Sequence, residues 1–415
     1  METTPSERLS AAKDGAIDLW SGGRGKVLTA VAGGWFLSIG VRMIYPVMVP
    51  YLRSVYGLNL TSAGLLLTTL FLAYAIGQFP GGILSDRFGE RVTLSVSALI
   101  SAVTLTFVVT ARSPIILFAA TALFGFGTAL YAVGRYTVLT RLYTDRLGAA
   151  NGITAASQDA GQSIMPPIAS VIAAATLWQY GFGFAVPLFL LFAAALWLIV
   201  PPLPSEPSKQ DTGFSVDTLR TLSTELRQRS VIYATAVLIL GLLVWQAFTS
   251  FYPTYLVEEK ELSTTAASLL FGAFFALGIL IKPLAGAAYD QFGIRRSLTI
   301  VATGPTIGLI ALPYVQRLWT LAIVTVLVST LLGFATVVEP SLLSSLPEDV
   351  RGTGFGVLRS IAFTIGATSP ALFGAAADRG FFDEVFIFLS VLASGMIVLA
   401  FRIPERPEPA QPPAE

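Results

Sequence analysis

Twelve separate runs of about 20 mostly apolar residues dominate this chain, and a run of that length is what a helix needs to cross a bilayer. They cover residues 27–52, 61–84, 92–111, 114–141, 149–174, 181–201, 230–257, 263–288, 297–315, 319–345, 353–376 and 383–402. No water-soluble fold of 415 residues needs so many. A spanning segment must satisfy its backbone polar groups internally, so the runs are expected to be α-helices. Hydrophobic residues make up 54% of the chain and charged residues only 12%, with a mean hydropathy of +0.72. A soluble domain carries about 25% charged residues.

Two absences narrow the chemistry further. The chain has no cysteine and no histidine. Disulfides, thiol nucleophiles, thiolate or imidazole metal sites and histidine triads are thereby excluded. Any proton relay must use carboxylates, Tyr or Lys. No metal site, cofactor or P-loop is expected, and a net charge of +1 gives no field for nucleic acid. No enzymatic constellation is legible. The expected surroundings are the lipid bilayer and a small solute, with the chain acting as a monomer.

The connections organise the runs. Most are short. Residues 202–229, within PPLPSEPSKQDTGFSVDTLRTLSTELRQRS, form a polar, proline-rich linker. The chain thus divides into a tail (1–26), a six-helix bundle (27–201), the linker (202–229), a second six-helix bundle (230–402) and a second tail (403–415). The polar first 25 residues lack a cleavable signal pattern. With both tails on the cytoplasmic side, 17 of the 26 Lys and Arg fall on that side and 5 on the other. That bias orients the chain, in the cell membrane, with both termini cytoplasmic.

The two bundles are a repeat. GGILSDRFGERVTL (81–94) returns as AGAAYDQFGIRRSL (285–298). Gly82, Asp86, Phe88, Gly89 and Arg91 match Gly286, Asp290, Phe292, Gly293 and Arg295, each 204 residues later. The same offset pairs Tyr51 with Tyr255, Leu65 with Leu269, and Gly148, Gly152 and Pro166 with Gly352, Gly356 and Pro370. Such doubling is how many secondary transporters are built, with the solute site between the halves near the membrane midplane.

The pattern G-x-x-x-D-R-x-G-x-R between the second and third helices resembles the loop signature of the major facilitator superfamily. Gly82, Asp86, Arg87, Gly89 and Arg91 carry it, and Gln291 weakens the second copy. The resemblance spans nearly the whole chain. It implies an all-α integral membrane fold, with twelve transmembrane helices in two pseudo-symmetric six-helix bundles. It also implies a cytoplasmic gate. Asp86 would accept hydrogen bonds from a neighbouring helix N-terminus, with Arg351 as its partner across the halves. Gly286, Asp290, Gly293 and Arg295 would repeat the device. A plainer reading also stands, in which these charges only fix topology.

Six ionisable residues lie inside the runs: Arg42, Arg135, Asp159, Lys282, Glu339 and Arg359. Intramembrane charges are functional candidates by default. None falls on the third, sixth, ninth or twelfth helix, which the resemblance makes peripheral. Arg135 with Asp159, and Glu339 with Arg359, are expected at matching depths and suit one structural ion pair in each half. Pairing would leave Arg42 and Lys282 in excess, which favours an anionic solute. The candidate solute-binding residues are Arg42, Tyr45, Tyr131, Arg135, Gln246, Lys282 and Arg359. Asp159 and Glu339 are the candidates for a coupled proton.

Proton-coupled drug exporters of the superfamily usually place Arg before the glycines of the fourth helix and a G-P-x-x-G-G pattern in the fifth. Here the segments read TALFGFGTAL, with Thr121, and AGQSIMPPIAS. The expected function is transport of a small organic anion, such as a carboxylate, by rocking-bundle alternating access. The alternative is a proton-coupled exporter of lipophilic or cationic compounds.

Overall fold

A computed structural model describes residues 20, 23–144, 146–202, 228–347 and 351–404. The two tails and the linker therefore lie almost wholly outside the described residues. Among these residues the chain is helical throughout and contains no strand.

We number the long helices α1 to α12. The first six are α1 (Arg24–Tyr56), α2 (Leu60–Phe88), α3 (Glu90–Thr110), α4 (Pro114–Leu142), α5 (Leu147–Ala175) and α6 (Trp178–Ile199). Next come α7 (Arg229–Glu258), α8 (264–292) and α9 (294–311). The last three are α10 (Leu318–Ser344), α11 (Arg351–Ala377) and α12 (Phe382–Arg402). Ten segments of the described chain are long and apolar enough to cross a membrane. The other two helices of the expected twelve are accounted for. α8 and α9 run together into a single 51-residue segment, Thr264–Tyr314. α5 is 29 residues long but carries Asn151, Gln158, Asp159 and Gln162, so its apolar content is low.

The glycines of the repeated loop explain how the helices part. Gly89 ends α2 with φ 79° and ψ 164°. Gly293 divides α8 from α9 with φ 71° and ψ 178°. That corner of φ/ψ space is essentially reserved for glycine, so the sequence repeat is a conformational repeat. Either glycine replaced by Ala is expected to cost about 1–3 kcal/mol. Thermal melts of the two single variants check this, and an unchanged melting temperature in both contradicts it. The opposite end of α2 and α8 repeats too. Asn59 accepts the Ser62 N–H (2.8 Å), and Ser263 accepts the Ala266 N–H (3.2 Å). Both are N-caps.

The described helices fall into two compact units. The first holds the first-half helices together with residues 246–279 and 367–382. The second holds the remainder of the second half. Within the first unit, small residues let backbones meet. A Cβ on Gly161 of α5 would stand 2.2 Å from the Phe36 carbonyl oxygen of α1. One on Gly125 of α4 would stand 2.4 Å from the Leu70 carbonyl oxygen of α2. In the second unit, Gly241 of α7 receives the ring of Phe334.

Candidate functional site

The position of Arg42 follows from a local rule. Pro46 has no N–H to give the Arg42 carbonyl, and its ring crowds that oxygen. The helical run of α1 accordingly breaks at Met43, between Arg24–Arg42 and Ile44–Tyr56. Arg42 therefore ends a helix in mid-span. Its guanidinium carbon lies 3.9 Å from the centroid of the Tyr74 ring on α2, a cation–π contact. The residue is 6% exposed, and its Nε and Nη1 are buried without a hydrogen-bond partner. Leaving charged donors unmet in the interior is costly.

The break redirects Tyr45. On an unbroken helix it would share a face with Arg42. Instead its ring packs against Phe124 (5.8 Å) and Phe182 (4.8 Å), fully buried between α4 and α6. Its buried hydroxyl faces that of Thr121.

A second buried cation sits in the same unit. Arg135 of α4 lies between two rings, 4.4 Å from Trp35 and 4.3 Å from Tyr136, and its Nη1 donates to Thr154 Oγ1 at 2.6 Å. Tyr131 stacks on Trp35 (6.1 Å) and donates its hydroxyl to the Val31 carbonyl (2.9 Å). The Trp35 indole N–H donates to Gln158 Oε1 at 3.2 Å. An indole can only donate, so the amide orientation is fixed and its NH2 remains as a donor. Three helices thus bring a guanidinium and an amide donor together on an aromatic platform.

Arg135 was expected to face Asp159; the hydrogen bond of its Nη1 goes to Thr154. Arg135 stands eight residues before Tyr143, and Thr154 stands eight after Arg146, across the turn that joins α4 to α5. Asp159 lies five residues further along, about 7.5 Å deeper. The second half obeys the same depth rule. Glu339 does pair with Arg359, at 3.3 Å. Arg359 is the repeat counterpart of Ala155, next to Thr154, and the counterpart of Asp159 is Phe363. Arg359 also faces the Phe363 ring, at 5.4 Å.

Asp159 is buried, at 3% exposure, on the polar stretch of α5. Gln246 of α7 is buried in the same unit with Oε1 unmet. Lys282, Glu339 and Arg359 belong to the second unit and are half-buried or partly exposed.

In the loop signature, most contacts fasten each half to itself. Arg91 lies 4.4 Å from the Trp197 ring of α6. Its counterpart Arg295 donates to the Ile403 carbonyl beyond α12, at 3.0 and 2.8 Å. Glu90, buried at the first position of α3, pairs with Arg141 of α4 at 2.9 Å. Asp86, Arg87 and Asp290 are exposed, and Gly82 has open space around its Cα. Gly286 is half-buried, with Thr336 3.4 Å from an added Cβ. Arg351 donates to the Leu346 carbonyl at 3.3 Å. Sequence reading gave no role to Trp35, Tyr74, Thr154 or the Glu90–Arg141 pair. An aromatic side chain within a turn of an intramembrane arginine was the available signal for Trp35's partner Tyr131, and Tyr74 lay too far along the chain to be paired by spacing.

Comparison with known proteins places these features. Residues 30–367 and 262–415 match the family model described as Major Facilitator Superfamily. A hexuronate transporter of Bacillus subtilis (strain 168) is 25% identical over 396 residues, covering 90% of this chain and 93% of its own length. A probable sulfoacetate transporter of Cupriavidus necator is 24% identical, covering 86% of this chain and 88% of its own. A probable nitrate transporter of Staphylococcus aureus is 22% identical, covering 84% and 88%. Among solved structures, a nucleoside transporter aligns with a TM-score of 0.77 at 14% identity, over 91% of this chain and 98% of that one. A bacterial homolog of the human lysosomal transporter Spinster, inward-facing and unoccupied, aligns at 0.70 and 16% identity, over 92% and 95%. Both share the fold described above.

Proposed function

The chain belongs to the Major Facilitator Superfamily and is a membrane transporter of a small solute, and from that premise we propose that the solute is an organic anion, a carboxylate in the first instance. The transporter works by alternating access in the cell membrane, with both termini cytoplasmic. The observation that carries the reading is Arg42. It offers two buried N–H groups with no partner, on a guanidinium steadied by the Tyr74 ring. Unmet guanidinium N–H groups give charge-assisted hydrogen bonds to a carboxylate. Arg135, with Gln158 beside it, supplies further donors. Relatives described as hexuronate, sulfoacetate and nitrate transporters all carry anions in their names, which supports a cationic site.

Uptake into proteoliposomes tests this. Carboxylates and amphipathic cations are offered separately, and accumulation of a carboxylate is expected. Accumulation of the cations alone moves the exporter alternative ahead.

Proton coupling is part of the proposal, through Asp159 or Glu339. Protonation of Glu339 would loosen its 3.3 Å pairing with Arg359, which links a proton to a cation inside the membrane. One of the variants Asp159→Asn and Glu339→Gln is expected to keep exchange of pre-loaded solute and lose pH-driven accumulation. Normal accumulation in both removes the coupling.

A further inference from the structure

The end of the first unit remote from the Gly89 turn carries a contact that the repeat does not explain. A helix begins with four backbone N–H groups that its own carbonyls cannot reach. In α2 these belong to Asn59, Leu60, Thr61 and Ser62, since the Ala63 N–H already reaches the Asn59 carbonyl at 3.0 Å. The Asn59 side chain takes the Ser62 N–H. Those of Leu60 and Thr61 are answered from more than 300 residues away. Asp378, just past the end of α11, accepts the Leu60 N–H and the Thr61 N–H, both at 2.7 Å. It also accepts the Thr61 hydroxyl. A carboxylate at a helix N-terminus gains from the helix dipole as well as from the bonds.

The backbones beneath the carboxylate are in contact. A Cβ on Gly374 would stand 2.1 Å from the Leu60 carbonyl oxygen, and one on Gly64 2.2 Å from that of Pro370. Deeper along the seam, the Ala371 N–H donates to Thr68 Oγ1 at 3.1 Å. The pseudo-symmetric seam joins α5 to α8. There Ser163 Oγ donates to the carbonyl of Gly272, the repeat counterpart of Thr68, at 2.9 Å. Among the described residues that seam shows no such hook. The end of α5 reads VIAAAT (171–176), and Ala174 stands where Asp378 stands in α11.

We propose that Asp378 is a hook that holds the α2–α11 seam shut at this end, so that its release, which the unhooked α5–α8 seam does not require, controls opening there. The proposal rests on the alternating-access reading for its purpose. The chemistry is that expected of Asp86 in the loop signature, found at the other end of the same helix with the partners exchanged.

The hook keeps its charge across ordinary pH. Burial pushes the Asp378 carboxyl up, but the Thr61 hydroxyl, the Thr61 and Leu60 amides and the Arg53 charge together bring it below the usual carboxylate value. A lowered value means that the hooked state is favoured fully above the ordinary carboxylate range and lost only as pH falls through the depressed one. The charged neighbours are Arg53 of α1, itself bridged to Glu258 of α7, and Arg379, which donates to the Ala375 carbonyl. Asp378 is thus a fixed catch, distinct from the carboxylates proposed to carry a proton.

The absence of cysteine makes the test direct. Thr68→Cys reports the α2–α11 seam and Ser163→Cys the α5–α8 seam, each placing a thiol where a hydroxyl lines the seam. Alkylation by a polar maleimide is followed on full-length protein in nanodiscs, without solute, so the result does not depend on the identity of the cargo. Adding Asp378→Ala, the residue of the unhooked seam, is expected to raise labelling at position 68 by about tenfold or more, as for loss of a charge-assisted bond. Asp378→Glu, which keeps the charge, should restore most of the slow rate. With the hook intact, the ratio of labelling rates at positions 68 and 163, which cancels the thiolate's own pH dependence, should be flat between about pH 5.5 and 8. A melting curve guards against a collapsed variant. Equal rates at position 68 in the parent, Ala and Glu forms overturn the hook. Rates that rise equally at positions 68 and 163 overturn the asymmetry. If the hook behaves as expected but no anion is transported, only the solute assignment falls.

Discussion

Arg42→Gln is expected to weaken anion binding by about 2–3 kcal/mol, roughly 30- to 150-fold, because two charge-assisted donors are lost at once. The same change should leave the empty protein as stable as the parent or more so. It removes a cation whose Nε and Nη1 are buried and unmet, and a buried charge without a partner is a burden on the fold. Arg42→Lys keeps the charge but not the planar set of donors, so it should lie between, about 1–2 kcal/mol weaker. Tyr74→Phe preserves the ring beneath the guanidinium and should bind nearly as the parent does. Lys282→Gln should weaken binding by less than Arg42→Gln. Calorimetry with a melting control reads all of these. Loss of binding and loss of stability together in Arg42→Gln would mark the residue as structural.

A larger effect on folding is expected at Gly161. An added Cβ would fall 2.2 Å from the Phe36 carbonyl oxygen, 3.0 Å from its carbon and 3.1 Å from its Cα. These are backbone atoms and cannot rotate aside. Overfilling a packed interior costs about 1–3 kcal/mol, and more when the neighbour is backbone. Gly161→Ala is therefore expected to destabilise the first unit by about 3 kcal/mol or more. It should also impair binding, because the α1–α5 crossing brings Trp35 to Gln158. Gly82→Ala is the matched control. An added Cβ there meets nothing within 4 Å, and Ala is the better helix former by about 1 kcal/mol. A melting temperature that falls in Gly161→Ala and holds in Gly82→Ala supports the packing account. Equal melting temperatures contradict it.

The membrane class and the doubled architecture were legible in the sequence because both rest on local rules. An apolar run long enough to span is a helix whatever surrounds it. Gly89 and Gly293 announce a turn that other residues resist, and the repeat offset turned one observation into two. The pair Glu339–Arg359 was legible by depth. For Arg135 the short connection sets depth more tightly than the span limits suggested, and Thr154 reaches its level. Spacing aligned Tyr45 with Arg42, but Pro46 breaks the helix between them. Trp35 against Gln158, Tyr74 beneath Arg42 and Asp378 on the start of α2 join residues 32 to 318 positions apart. No periodicity encodes such contacts. They arise from which helices the glycines allow to touch.

Calorimetric titration of the purified transporter tests the central claim most directly. A hexuronate, sulfoacetate, nitrate and an amphipathic cation are titrated in turn into the parent and into Arg42→Gln. The account predicts saturable binding of an organic anion by the parent, sharply weakened in the variant. Binding of the cation alone, or of the anion equally by parent and variant, would contradict it.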